Sequence, residues 1–169
     1  LEHPHVVRVY EVGTFEDEVF IAMELVRGQS LRKWTDSLST RDSGWWRKIL
    51  DAYAQACDGL AAAHDAGLVH RDFKPSNAMF GRDGRVRVLD FGLALNHGHV
   101  VDKSSEHSPK EGARSDTLHG AGTPGYMAPE QRGDGRVDGR ADQYSLCMAL
   151  YEALYAARPK VDELPEPLG

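Results

Sequence analysis

The fold is decided by His70-Arg71-Asp72-Phe73-Lys74-Pro75-Ser76-Asn77. This short loop carries a carboxylate, a cation two residues on and a carboxamide five residues on. Leu68-Val69 before it and Ala78-Met79-Phe80 after it read as short strand-like pieces, as does Val86–Leu89. Gly81-Arg82-Asp83-Gly84 joins the last two and is a hairpin signal. A hairpin returns the chain to where it left, so Asn77 before it and Asp90 after it are expected at one edge. Asp90 opens Asp90-Phe91-Gly92, and Ala128-Pro129-Glu130 follows further on.

Upstream, the clearest helix is predicted from about Gly44 to Ala66. Trp46, Ile49, Leu50, Tyr53, Cys57, Leu60, Ala61 and His64 recur at three- and four-residue steps there, and Gly67 stands at the left-handed cap position. Trp45 and Trp46 begin it, one expected inward and one on the surface. Ser30 is a plausible cap for a helix over Leu31–Leu38. Val6–Val12 and Val19–Glu24 read as two strands around a turn at Thr14–Glu18, with Val19–Met23 apolar enough for a buried strand. Downstream, Asn96–Gly122 is a polar loop, long enough to be functional or disordered. A second strong helix is predicted over Ala141–Ala156, with Tyr144, Leu146, Cys147, Leu150, Tyr151 and Leu154 as its apolar set. A proline-containing tail follows. Few strands and then mostly helices is an α+β pattern.

The chain of 169 residues is about one domain long, with 41% hydrophobic and 27% charged residues, a balance that can bury a core. A net charge of −6 argues against nucleic acid as the main partner. No apolar run approaches the roughly 20 residues of a membrane span, and the first residues lack a signal-peptide layout. Cys57 and Cys147 are expected as buried free thiols rather than a disulfide, consistent with a reducing, cytoplasmic location. The histidines, among them His97, His99, His107 and His119, match no closed zinc site and read as solvated loop residues.

The order and spacing of His70–Asn77, Asp90-Phe91-Gly92 and Ala128-Pro129-Glu130 resemble the eukaryotic-type protein kinase family, in the style of its bacterial serine/threonine members. The resemblance implies ATP and Mg2+ as cofactors and protein serine/threonine hydroxyls as substrates. It implies Asp72 as the carboxylate facing the attacking hydroxyl, Lys74 as the cation reaching the transferred phosphate, and Asn77 and Asp90 as metal ligands. Those oxygen donors suit a hard magnesium ion. It further implies Thr123 bonded to Asp72 and Lys74 in the substrate-docking floor, and Met23 beside the adenine pocket. Glu24 and Val26 would lend backbone groups to adenine, and Met79, with Leu31 beneath it, would form the pocket floor. His70, Phe91 and Val9 resemble stacked residues that align the two lobes, Gly92 completes its motif, Glu130 ends the segment, and Asp142 resembles a buried aspartate supporting the catalytic loop.

The same resemblance assigns 1–26 to the end of an N-lobe and hinge and 27–159 to a C-lobe, with catalytic loop 70–77 and activation segment 90–130; 160–169 is the tail. Arg71 is expected to pair with a phosphorylated loop residue, with Ser115 and Thr117 as candidates. The family's glycine-rich loop, its strand lysine and the glutamate that orients it are expected upstream of Leu1, and more helices beyond Pro159. The chain therefore reads as a kinase fragment, expected to bind ATP weakly, lack kinase activity and aggregate when expressed alone. A non-enzymatic scaffold is the alternative, but it has no need of Asp72, Lys74, Asn77 and Asp90 together. Small-molecule phosphotransferases of the related fold lack the Gly122–Glu130 docking segment.

Overall fold

The computed structural model describes residues 1–16, 18–38, 43–91, 125–132 and 137–159. Two small antiparallel sheets and three helices make up the regular structure there. Strands β1 (Val9–Phe15) and β2 (Glu18–Met23) form a hairpin in which Phe15 pairs with Glu18 and Val9 with Met23. Strands β3 (Gly28–Ser30), β4 (Ala78–Gly81) and β5 (Val86–Val88) form a second sheet in that spatial order. Helices α1 (Leu31–Ser37), α2 (Trp45–Asp65) and α3 (Gly139–Tyr155) pack beneath it.

The predicted first strand is displaced. Val6 and Val7 belong with β5 rather than β1: Val7 N–H donates to the Val88 carbonyl at 2.9 Å and Val88 N–H to the His5 carbonyl at 2.9 Å. The chain thus changes sheets just before Val9, which an uninterrupted apolar alternation does not reveal. Leu68-Val69 forms no strand. β3 was not foreseen, because Gly28-Gln29-Ser30 has little strand propensity; its pairing with Gly81, Phe80 and Met79 imposes it. Val19, Phe20 and Ile21 are exposed, at 70%, 41% and 37%, so β2 is not a buried strand here.

Local signals for the helices hold. The Ser30 hydroxyl caps α1 by accepting from Lys33 N–H at 3.3 Å. α2 ends in a Schellman arrangement: Gly67 N–H donates to the His64 carbonyl and Leu68 N–H to the Ala63 carbonyl, both at 2.9 Å, with Gly67 at φ +77°.

The inward faces match those expected in part: Ile49, Tyr53, Leu60 and Leu146 are buried, and Leu150 and Leu154 pack against the core. On α2 the buried residues are Ile49, Ala52, Tyr53, Ala56, Gly59, Leu60 and Ala63, whereas Leu50 and Cys57 are exposed and Trp46 lies outward under Arg47. Trp45 is the one that packs inward. On α3 the buried set is Ala141, Asp142, Ser145, Leu146 and Ala149, and Cys147 and Tyr151 are exposed. Both cysteines are therefore free but exposed, not buried. Small residues make the difference: they let elements approach closely, and large apolar residues on the flanks are left at the rim.

Gly59 shows how tight that approach is. A Cβ there would lie 2.3 Å from the His5 carbonyl oxygen, the same oxygen that accepts from Val88. Helix propensity alone predicts that Gly59→Ala stabilises by about 1 kcal/mol. Overpacking against backbone costs about 1–3 kcal/mol and, since the carbonyl cannot move without breaking the Val88 bond, should win. We expect Gly59→Ala to lower the urea midpoint of the intact protein, by up to about 2 kcal/mol in stability once the propensity gain is subtracted; an increase would show that the chain before β1 yields freely.

Candidate active site

The loop 70–77 is held in place from below by Asp142, whose side chain is fully buried in the first turn of α3. Its Oδ2 accepts from His70 N–H at 2.8 Å and from His64 Nε2 at 2.7 Å, and its Oδ1 accepts from Arg71 N–H at 2.7 Å. These bonds hold Arg71 in the left-handed region at φ 66°, a conformation that costs a non-glycine residue of order 1 kcal/mol or more. From the other side Gln131 Nε2 donates to the Arg71 carbonyl at 2.5 Å, while Gln131 Oε1 accepts from Ala128 N–H at 3.1 Å. The loop is thereby tied to the 3-10 turn Pro129–Arg132 as well as to α3.

Above this support the reactive side chains converge. Lys74 Nζ lies 2.8 Å from Asp72 Oδ2, with both side chains about a quarter exposed. Asn77 Nδ2 donates to the Asp72 carbonyl at 2.9 Å and approaches Asp72 Oδ2 at 3.4 Å. With its nitrogen so committed, the amide oxygen is the atom Asn77 can offer a cation. Leu89 N–H donates to the Asn77 carbonyl at 2.8 Å, which sets Asp90 directly beside Asn77. The hairpin thus delivers the two residues to one edge, as its turn chemistry predicts. Asp90 also lies in the left-handed region, at φ 59°.

His70 joins the loop to the strand leading to Asp90. Its Nε2 donates to the Leu89 carbonyl at 2.8 Å and its Nδ1 accepts from Asp72 N–H at 3.3 Å, a pattern only the neutral imidazole satisfies. Burial lowers its pKa, against the raising influence of the Asp142 carboxylate. The ring lies 5.0 Å from that of Phe91. Phe91, Val9, Met23, Val6, Ile21 and Asp90 line one largely apolar cavity of about 340 Å3. Met23 and Val9 are also paired across β1 and β2.

The remaining expected adenine contacts, Glu24, Val26 and Met79, do not line that cavity. Glu24 N–H is taken by the Arg8 carbonyl at 2.8 Å, leaving its own carbonyl; its carboxylate faces Arg87 at 3.4 Å. Met79 is half-buried on β4, opposite Ser30, with Leu31 fully buried next in the chain. Glu130 is half-buried in the 3-10 turn. Gly92, Thr123, Ser115 and Thr117 lie outside the described residues.

The sequence profile of the protein kinase domain matches residues 1–164, nearly the whole chain. The chain belongs to the protein kinase family. Serine/threonine-protein kinase PknB of Mycobacterium leprae is 34% identical over 169 residues, covering 98% of this chain and 25% of that protein. Serine/threonine-protein kinase pkn2 of Myxococcus xanthus is 36% identical, covering 98% of this chain and 19% of that protein. A crystal structure of the Mycobacterium tuberculosis PknI kinase domain, carrying a double mutation, superposes with a TM-score of 0.67 at 29% identity, over 98% of this chain and 56% of the other. This kinase chain therefore spans about a quarter or less of those two relatives and a little over half of a solved kinase domain. Its fold is the protein-kinase-like fold in part. No helix among the described residues is long and apolar enough to cross a membrane.

Two supports of this kinase site were not singled out from the sequence. Gln131 stands just beyond Ala128-Pro129-Glu130, and its contact with Arg71 spans 60 residues. Glu152, on α3, accepts from the Tyr126 hydroxyl, from Arg32 Nη1 at 2.9 Å and from Arg158 Nε at 3.4 Å. Burial tends to raise its pKa, but the bonds from Tyr126 and Arg32 outweigh that and lower it. A lone glutamate near the end of a helix gives no sign of such a role.

Neutral His70 has a pH signature. Its pKa is lower folded than unfolded, so below the ordinary value of about 6.5 the unfolded chain binds the extra proton and stability falls. We expect the urea midpoint of the intact protein to fall as pH drops from 7 towards 5, and His70→Tyr to flatten that slope. An unchanged slope in the variant would assign the acid sensitivity to other groups.

Proposed function

We propose that the protein containing this chain transfers the γ-phosphoryl group of ATP to serine or threonine hydroxyls of other proteins. The observation that carries the reading is the convergence of Asp72, Lys74 and Asn77 on one loop with Asp90 presented beside Asn77. Membership of the protein kinase family and likeness to relatives named serine/threonine-protein kinases support the same chemistry. Residues 1–26 serve as the end of the N-lobe and the hinge, 27–159 as the C-lobe, and 90–130 as the activation segment.

The residues then take these parts. The Asp72 carboxylate orients the attacking hydroxyl and accepts its proton, with Lys74 supplying positive charge next to it. Oxygens of Asn77 and Asp90 suit Mg2+, a hard cation. Bound Mg2+ and ATP supply the phosphoryl group and the charge that offsets the transferred oxygens. Met23, the backbone of Glu24 and Val26, and Met79 shape the adenine site. Thr123 steadies Asp72 and Lys74, and Arg71 pairs with a phosphate on Ser115 or Thr117. The backbone leading into Asp72 is held by Asp142 and Gln131 at His70 and Arg71, and that of Asn77 by Leu89.

The test is Asp72→Asn in the intact protein. Loss of the base should lower the phosphoryl-transfer rate about 10²–10⁴-fold while the affinity for Mg2+–ATP changes little. Loss of nucleotide binding together with activity would show that Asp72 is not the hydroxyl-facing group.

A further inference from the structure

The far end of the β4–β5 hairpin carries a surface whose lining meets the proposed nucleotide site only at Glu24, of which that site uses the backbone. Residues Ala78–Gly81 run away from Asn77, so this end lies about 13 Å from it at about 3.3 Å per residue. Here Arg82 N–H donates to the Arg27 carbonyl at 2.8 Å, placing the two residues side by side. Next to them Arg8, Arg85 and Arg87 line a shallow cleft with Glu2, His3 and Glu24.

The charges there do not cancel. Arg87 is engaged by Asp83 at 2.8 Å and by Glu24 at 3.4 Å, and Arg8 by Glu2 at 2.5 Å. Arg27, Arg82 and Arg85 are exposed and make no ion pair among the described residues. Five arginines against three carboxylates leave a local charge of +2, on a chain whose net charge is −6. The patch therefore opposes the sign of the molecule as a whole.

We propose that this surface docks an acidic peptide segment of a protein partner, away from the reacting atoms. Planar guanidiniums match separate carboxylates with two parallel hydrogen bonds, a geometry suited to Glu and Asp side chains on an extended strand. Glu2, Glu24 and Asp83 are interspersed with the arginines. They would repel the dense phosphates of a nucleic acid, while a peptide can place neutral residues opposite them. No apolar side chain lines the cleft beyond Pro4 and Val6, so a membrane has little to bury. Docking here would raise the local concentration of a tethered substrate without entering the phosphoryl-transfer site.

The experiment uses the intact protein and a fluorescein-labelled twelve-residue peptide of alternating Glu and Ser, read by anisotropy at 50 and 200 mM NaCl. The expected results are several-fold weaker binding at the higher salt, and about tenfold weaker binding for R82E/R85E. Phosphorylation of a short uncharged peptide should be unchanged in that variant. If R82E/R85E unfolds, R82Q/R85Q serves instead, with a smaller loss expected. Equal binding by variant and native protein overturns the proposal. So does equal binding of a Lys/Ser peptide, or tighter binding of a single-stranded oligonucleotide or of phosphatidylserine vesicles. A native protein that binds the acidic peptide but transfers no phosphate would leave the docking surface standing and remove the proposed activity.

Discussion

The arrangement depends on one buried carboxylate. Asp142 is wholly out of water, and an ionised group there is tolerated only if its oxygens are well satisfied. Three donors do so, and two are backbone N–H groups of adjacent residues, His70 and Arg71. Accepting from two consecutive N–H groups fixes the path of the backbone between them. That path places Arg71 in the left-handed region and turns the chain so that Asp72 points into the site. A single apolar contact could hold the loop near α3, but it could not specify this conformation. The strain at Arg71 is offset by charge-assisted hydrogen bonds, stronger than neutral ones.

From that anchor the geometry propagates through short local bonds. Asp72 N–H reports to His70 Nδ1, His70 Nε2 to the Leu89 carbonyl, and Leu89 N–H to the Asn77 carbonyl. The circuit closes on Asp72 through Asn77 Nδ2. Each member has a distinct donor or acceptor role, so the ring works only with a neutral imidazole. A protonated His70 would present an N–H to the N–H of Asp72 and open the circuit there.

Much of this could be read in the sequence. The loop residues are chemically unusual together, the Gly81–Gly84 turn fixes where Asn77 and Asp90 meet, and Gly67 and Ser30 mark helix ends through local bonds. Less legible were features fixed by distant partners. The inward face of α2 is set by Ala52, Ala56, Gly59 and Ala63, whose small size allows close approach, whereas periodicity weights Leu50 and Cys57. β3 exists because Phe80 and Gly81 pair with it. The apolar run Val19–Met23 signals a surface able to be covered, and hydrophobicity alone does not say that β2 stands exposed on Val19.

α3 shows why its face was legible only in part: Leu146, Leu150 and Leu154 pack inward as expected, Cys147 and Tyr151 do not. A helix that packs only by apolar burial repeats large aliphatic residues every three or four positions. α3 instead turns Asp142, Ser145 and small alanines inward beside Leu146, with Leu150 and Leu154 packed against the core and Glu152 near its end. Asp142 orders the 70–77 loop, Ser145 donates to the Tyr126 carbonyl at 2.7 Å, and Glu152 takes the Tyr126 hydroxyl together with Arg32 of α1. Its inner side is a row of hydrogen-bonding groups at which irregular segments are aligned. Irregular backbone has no ladder of its own and must find partners elsewhere. A helix that supplies them holds polar residues where a periodic reading expects apolar ones, so Cys147 and Tyr151, the apolar residues between, fall outward.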